Sequence, residues 1–313
     1  MNNKLKVSVL GANPSWQKTL FFETLLAGKI NRAKWEKNYP SGKGVNFCRA
    51  LRYSRLAEFQ IFQFAGGNNG KLLCEALDAD NFQHHTVVTE TETRNCITCL
   101  DPDGNMTELI GASYPVSTLE SQKMLDNLKE FLPGSAILAV TGSLPDGTSP
   151  DLYIKAAELA VKYNMPVLID ALAGIDGILS LPGKVILKVN QEEFFNITGQ
   201  SEIIDAHRFA AGKFPDKIFA ITNGPGEATL SDGKHIYRYR LPEIKVVNPL
   251  GSGDTASAVM TALFASGIPA GEAFKQALAA ASANCLNETA GMFDPAESSR
   301  LAEKTGISME NLR

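Results

Sequence analysis

Five brief apolar runs recur along the chain, "KVSVLG", "AILAVTG", "MPVLID", "KVILKVN" and "KIFAITN", and each ends at or just before a polar residue. Most are rich in branched aliphatics with little polar alternation, as strands covered on both faces are. Longer amphipathic stretches lie between them. In "SPDLYIKAAELAVKYN", Ser149 is placed to cap a helix and Pro150 to fall in its first turn, while Leu152, Ala156, Leu159 and Ala160 repeat at helical spacing. Strand, helix, strand repeated this way predicts an α/β chain: a mainly parallel sheet wrapped by helices. No repeat or long linker interrupts residues 1–313, so one body is expected. Segments of about 18–40 and 86–112 break the rhythm. They read as extended and partly exposed, the second around the turn "DPDGN", and predict a small sheet that covers a cleft as a lid.

The formal net charge of −4 is small and of the wrong sign for electrostatic binding to nucleic acid or an acidic membrane. An anionic ligand would need a local basic pocket. The start, "MNNKLKVSVLGANPS", has no apolar leader with a cleavage site, and no later run approaches the ~20 apolar residues of a membrane span. A cytoplasmic protein is expected. Five cysteines, an odd number scattered through a long chain, fit a reducing compartment. Cys96 and Cys99, three apart in the strand-like "TRNCITCL", face opposite ways, which argues for burial rather than zinc or redox chemistry. Adjacent His84 and His85 read as surface residues, and Trp16 and Trp35 as lid packing.

In an open α/β sheet, ligands settle beyond the carboxyl ends of the strands. The five runs lead into Asn13, into Thr141 and Ser143, into Asp170, into Asn190, and into Thr222 and Asn223. Polar turn residues end strands for ordinary reasons too, but five together favour a site along that edge. "NPLGSGDTASAVM" then matters. Ala256, Val259, Met260, Leu263 and Phe264 follow one helix face, which puts Gly251 to Asp254 at the helix N-terminus. Free backbone N–H groups and the positive end of the helix dipole suit a phosphate there, and glycines let the backbone come close. A carboxylate beside a phosphate is repelled unless it takes the proton of an attacking hydroxyl. The alternative is that Asp254 merely stabilises the helix start, worth about 0.3–1 kcal/mol. A second glycine-rich turn, "PSGKGVNFCRAL", lacks the Walker pattern, and neither turn fits the dinucleotide fingerprint. Lys43 offers a point charge, whereas Arg94 offers a two-pronged grip on a phosphate.

In their order along nearly the whole chain, "NPS", "INRAK", "SGKGVNFCRAL", "TRNCITC", "DGNMTEL", "TGSLPDG", "KVNQEE", "NPLGSGDT" and "ANCLNETAGMFD" resemble the PfkB family of ribokinase-like carbohydrate kinases. The likeness is strongest to the branch of 1-phosphofructokinase and tagatose-6-phosphate kinase. It implies a three-layer α/β/α ribokinase-like fold with a β-sheet lid, and ATP and Mg²⁺ as cofactors. By the resemblance, Asp254 is the catalytic base and Gly251, Ser252 and Gly253 form the anion hole. Asn190 and Glu193 organise the magnesium and nucleotide phosphates, Glu193 through water. Thr222 and Gly224 belong to the nucleotide-binding strand end, and Asn284 lies beside the adenosine. Gly42, Lys43, Asn46, Arg94 and Ser143 hold the phosphorylated sugar.

One departure stands out. Where the family usually has an aspartate that grips sugar hydroxyls, this chain has Gln17, in "NPSWQKT", and a neutral amide both donates and accepts. The expected acceptor is a ketohexose carrying one phosphate, such as fructose 1-phosphate or tagatose 6-phosphate. A kinase of a free sugar or nucleoside, and a non-catalytic sugar or nucleotide-binding regulator, are the alternatives. Retention of Asp254, Lys43, Asn190 and Glu193 counts against the last. Exposed lid edges predict pairing in a homodimer.

Overall fold

The five apolar runs become five neighbours in one sheet. In the computed structural model, which describes residues 5–312, the strands in chain order are β1 (Lys6–Leu10), β2 (Ser15–Phe21), β3 (Trp35–Ser41), β4 (Glu58–Gly66), β5 (His84–Thr89), β6 (Asn95–Leu100), β7 (Met106–Ile110), β8 (Ile137–Thr141), β9 (Val167–Asp170), β10 (Val185–Asn190), β11 (Ile218–Thr222), β12 (Ala228–Ser231), β13 (His235–Arg240) and β14 (Gly306–Asn311). The helices are α1 (Lys43–Ser54), α2 (Gly67–Ala79), α3 (Thr118–Phe131), α4 (Asp151–Lys162), α5 (Ile175–Leu179), α6 (Gln191–Thr198), α7 (Ile203–Lys213), α8 (Ser252–Ala265), α9 (Ala270–Asn284) and α10 (Pro295–Lys304). The large sheet runs β14-β13-β12-β11-β10-β9-β8-β1-β4-β5. It is parallel from β11 to β5, and antiparallel pairing begins at β12.

Each face of this sheet has its own apolar core. Val7, Val9, Ile61 and Leu168 pack with α1, α2, α8, α9 and α10 on one side. Leu10, Val140, Ile169 and Leu187 pack with α3, α4, α6 and α7 on the other. The result is three layers with all parallel-strand carboxyl ends at one edge. Helix α4 starts at Asp151, with Pro150 one place before it and Ser149 Oγ accepting from Asp151 N at 3.2 Å, one residue later than the sequence suggests. Helix α8 differs more. Instead of one buried face, every residue from Asp254 to Leu263 is buried, because α1 and α9 flank the helix on its sheet layer.

The small sheet runs β3-β2-β6-β7. The expected segment 86–112 is divided: residues up to Thr89 belong to β5, which pairs in parallel with β4 in the large sheet, and only β6 and β7 join the lid. The first lid strand begins at Ser15, before the expected 18. Trp35 stacks on Phe21 at 5.4 Å within the lid, while Trp16 packs against the main core. His84 and His85 are half-buried. His85 is sandwiched between Phe62 and Phe131 and bonds Gln60 Oε1 at 3.1 Å, and His84 sits between Thr86 and Asp78. All five cysteines are free. Among the described residues no helix is long and apolar enough to cross a membrane, and no cluster of His, Cys, Asp and Glu could hold a metal by itself. The first four residues of the start read for a leader lie outside the described residues.

Candidate active site

Three helix N-termini, those of α1, α6 and α8, together with strand ends and the lid, line a cavity of about 690 Å³. Thirteen of the expected site residues line it: Gln17, Gly42, Lys43, Asn46, Arg94, Ser143, Asn190, Glu193, Thr222, Gly251, Ser252, Gly253 and Asp254. A second, more apolar cavity of about 480 Å³ adjoins it and shares Thr222, Pro249, Ser252 and Gly253, with Gly224 on its wall. The two meet at the start of α8.

Helix α8 opens at Gly251, where φ is +78° and a Cβ would come within 2.7 Å of Ala290 Cβ. Only glycine takes that backbone without strain or collision. Ser252 N donates to Pro249 O at 3.2 Å, and the Gly253 and Asp254 amides that follow belong to the first turn, on the cavity wall. Asp254 follows in the first turn, 6% exposed, and its Oδ2 accepts a hydrogen bond from Asn46 Nδ2 at 2.9 Å. Burial pushes its carboxyl up to about 6, opposed by Lys43 and reinforced by Asp170. Such a group is poised to accept a proton near neutral pH.

Facing it is a cationic pair that one carboxylate holds in place. Lys43 Nζ lies 2.8 Å from Asp170 Oδ1, and Lys188 Nζ lies 3.5 Å from Asp170 Oδ2, which also accepts from Ser257 Oγ at 2.6 Å. Burial opposes ionisation of Asp170, but Lys188 and Lys43 hold its carboxyl down to about 2. Burial likewise works against the Lys43 ammonium, and Asp170 and Asp254 raise its pKa nonetheless. Two ammonium groups share one carboxylate here, with the Asp254 carboxyl also within electrostatic reach of both. A Cβ on Gly253 would sit 3.1 Å from Lys188 Nζ, so that ammonium abuts the α8 turn.

Asn190 and Glu193 form a reciprocal cap on α6: Glu193 N donates to Asn190 Oδ1 at 2.8 Å, and Asn190 N to Glu193 Oε2 at 2.9 Å. Capping alone accounts for this residue pair. It also fixes the Glu193 carboxylate on the cavity wall. At the opposite end, Arg94 Nη2 donates to Asn13 O at 3.0 Å while its Nε is buried without a partner. Thr141 Oγ1, on the same wall, is likewise buried and unpartnered. Ser143 Oγ accepts from Asn13 Nδ2 at 3.2 Å.

Asn284 is the exception among the expected residues. It is fully buried, lines neither cavity, accepts from Gly291 N at 2.7 Å and donates to Leu250 O at 3.0 Å. Its amide fixes the loop before α8. The wall of the second cavity near it is made by Leu278, Ala281, Ser282 and Cys285. Lys188 is the residue that sequence reasoning missed. A lysine inside an otherwise aliphatic strand buried on both faces was the available signal, because such a charge demands an anionic partner.

A sequence profile of the pfkB family carbohydrate kinases matches residues 16–296. The fold is shared with phosphofructokinase-2 from Escherichia coli, crystallised with substrates and products, at 21% identity and a TM-score of 0.87 over 96% of this chain and 99% of that one. It is shared equally with a protein described as a possible 1-phosphofructokinase from Thermotoga maritima, at 20% identity and a TM-score of 0.85 over 98% and 100% of the two chains.

Proposed function

Because the chain belongs to the pfkB family of carbohydrate kinases, we propose that it transfers the γ-phosphoryl group of ATP to a hydroxyl of a ketohexose that already carries one phosphate. Fructose 1-phosphate and tagatose 6-phosphate are the acceptors of choice. The observation that carries this reading is the position of Asp254: a buried carboxyl with its pKa near 6, on the cavity wall, in the first turn of a helix and beside Gly251, Ser252 and Gly253 on the same wall.

The apolar second cavity suits the base and ribose of the nucleotide, and Thr222 and Gly224 stand at its mouth. The phosphates would then run along the α8 turn toward Lys188 and Lys43. Asp254 takes the proton of the acceptor hydroxyl as that oxygen attacks the phosphorus in line, and the α8 amides stabilise the transferred group. Bound magnesium would neutralise charge across the nucleotide phosphates. Glu193 is placed to orient its water shell. Arg94, a guanidinium on the cavity wall, supports an acceptor that brings its own phosphate. The lid excludes water that would hydrolyse ATP.

Assay of ADP release with ATP–Mg²⁺ across phosphoketohexoses, free sugars and nucleosides tests the reading. Turnover should be fastest with a phosphoketohexose. A clear preference for an unphosphorylated sugar or nucleoside, or saturable binding with no ADP formed, would overturn it.

A further inference from the structure

On β7, the residues that line the cavity are Met106, Glu108 and Ile110, alternating along the strand. Glu108 lies directly opposite Thr98 of β6. Thr98 Oγ1 in turn accepts from Gln17 Nε2 at 2.8 Å, so β2, β6 and β7 bring three polar side chains to one patch of the lid's inner face. Tyr39, opposite Gln17 on β3, has its hydroxyl pKa raised first by burial and also by the charge of Glu108. That influence places Glu108 over the same patch. Its carboxylate is exposed and has no hydrogen-bond or ion-pair partner among the described residues.

A free carboxylate is an odd wall for a cavity that must admit phosphates. Thr98, opposite Glu108, lies four residues beyond Arg94, about 13 Å along the backbone at ~3.3 Å per residue, so Glu108 and Arg94 project from separate points of the lid. A carboxylate at the Glu108 position accepts hydrogen bonds from hydroxyl donors. Gln17 is poorly equipped for that task, since its amide donates to Thr98 and, at 3.4 Å, to Lys18 O, leaving one neutral acceptor oxygen.

We propose that Glu108 is a specificity-determining residue of the acceptor site, its carboxylate accepting the hydroxyl protons of a sugar phosphate that Gln17, an amide, cannot bind as an acid would. The lid thus moves the acidic sugar contact from β2 to β7. This rests on the phosphosugar-kinase reading above, and its test uses binding rather than turnover.

Calorimetric titration of the full-length protein with fructose 1-phosphate and with tagatose 6-phosphate, in the presence of a non-hydrolysable ATP analogue, measures the contact directly. Glu108→Ala should weaken the better-bound phosphosugar by about tenfold to a hundredfold, Glu108→Gln by less, and neither should change affinity for the ATP analogue. A deoxy analogue lacking the contacted hydroxyl should bind wild type and Glu108→Ala equally. Unchanged phosphosugar affinity in both variants would overturn the proposal, as would an equal loss for every deoxy analogue. Wild-type binding without ADP formation would sink the kinase reading alone. No wild-type binding of either phosphosugar would sink both.

Discussion

Asn46 donates its Nδ2 hydrogen to Asp254 Oδ2 across 2.9 Å, joining positions 208 apart in the chain. The amide cannot turn over. Its Oδ1 accepts from Ser41 Oγ and from Arg49 Nη1, each at 3.1 Å, and Arg49 is itself tied to Pro40 O and Ala290 O. The base is therefore oriented by a chain of donors that runs from the lid strand β3 and the loop beside Gly251. This hydrogen bond favours the ionised carboxyl. Asn46→Leu should raise the Asp254 pKa further and shift the acid limb of the kcat/KM profile to higher pH, with activity at pH 6.5 down about tenfold or more. An unshifted limb in a pH–rate profile would remove Asn46 from this role.

Asp254→Asn should lower kcat by about 10²- to 10⁴-fold, the usual worth of a general base. Affinity for ATP should change little, since the nucleotide cavity and the two lysines are untouched. Equilibrium binding and steady-state rates on the same preparation separate the two effects. Near-normal kcat would mean that the carboxyl serves only the helix start.

The strand pattern alone located the site's edge, since Thr141, Asp170, Asn190 and Thr222 end strands that are neighbours in the sheet. β4 was harder to read because Gln60 and Gln63 interrupt its apolar run. Gln60 is fully buried, bonded to Ser8, Phe131 O and His85, contacts between residues distant in sequence. The same limit applies to the site. Asp170 was legible as a strand end, but its grip on Lys43 and Lys188 depends on a fold that brings β9, β10 and α1 together. Asn284 was assigned beside the adenosine by resemblance. Only packing reveals that its amide faces Leu250 and Gly291 instead.

Arg94 lines the cavity at the root of the lid, where its Nη2 reaches Asn13 O at 3.0 Å. A phosphate there would gain charge-assisted hydrogen bonds worth roughly 1.5–3 kcal/mol each. Arg94→Ala should raise KM for a phosphoketohexose by about tenfold to a hundredfold and leave KM for a free sugar nearly unchanged. Competition by inorganic phosphate should weaken in parallel. Equal effects on phosphorylated and free acceptors would show that the arginine supports the lid and does not touch the phosphate.

Two buried groups should shape the dependence of stability on pH in opposite directions. Asp254 has a folded pKa of about 6 against roughly 3.9 unfolded, so between those values the native state holds a proton that the unfolded chain lacks, and acidification favours folding. His207 is the reverse. It is fully buried, bonded to Ser231 and Thr229 at 2.8 Å each, and burial lowers its pKa to about 3 against roughly 6.5 unfolded. Its contribution is complete above the unfolded value and is lost as pH falls toward the folded one. Between about pH 4 and 6 the two slopes oppose each other, each at about 1.4 kcal/mol per pH unit. Asp254→Asn removes the compensating slope, so urea unfolding across that range should show the variant losing stability more steeply than wild type by about that amount. Parallel curves for the two proteins would place the Asp254 carboxyl in an ordinary, solvated environment, and the argument for a base poised near neutral pH would go with it.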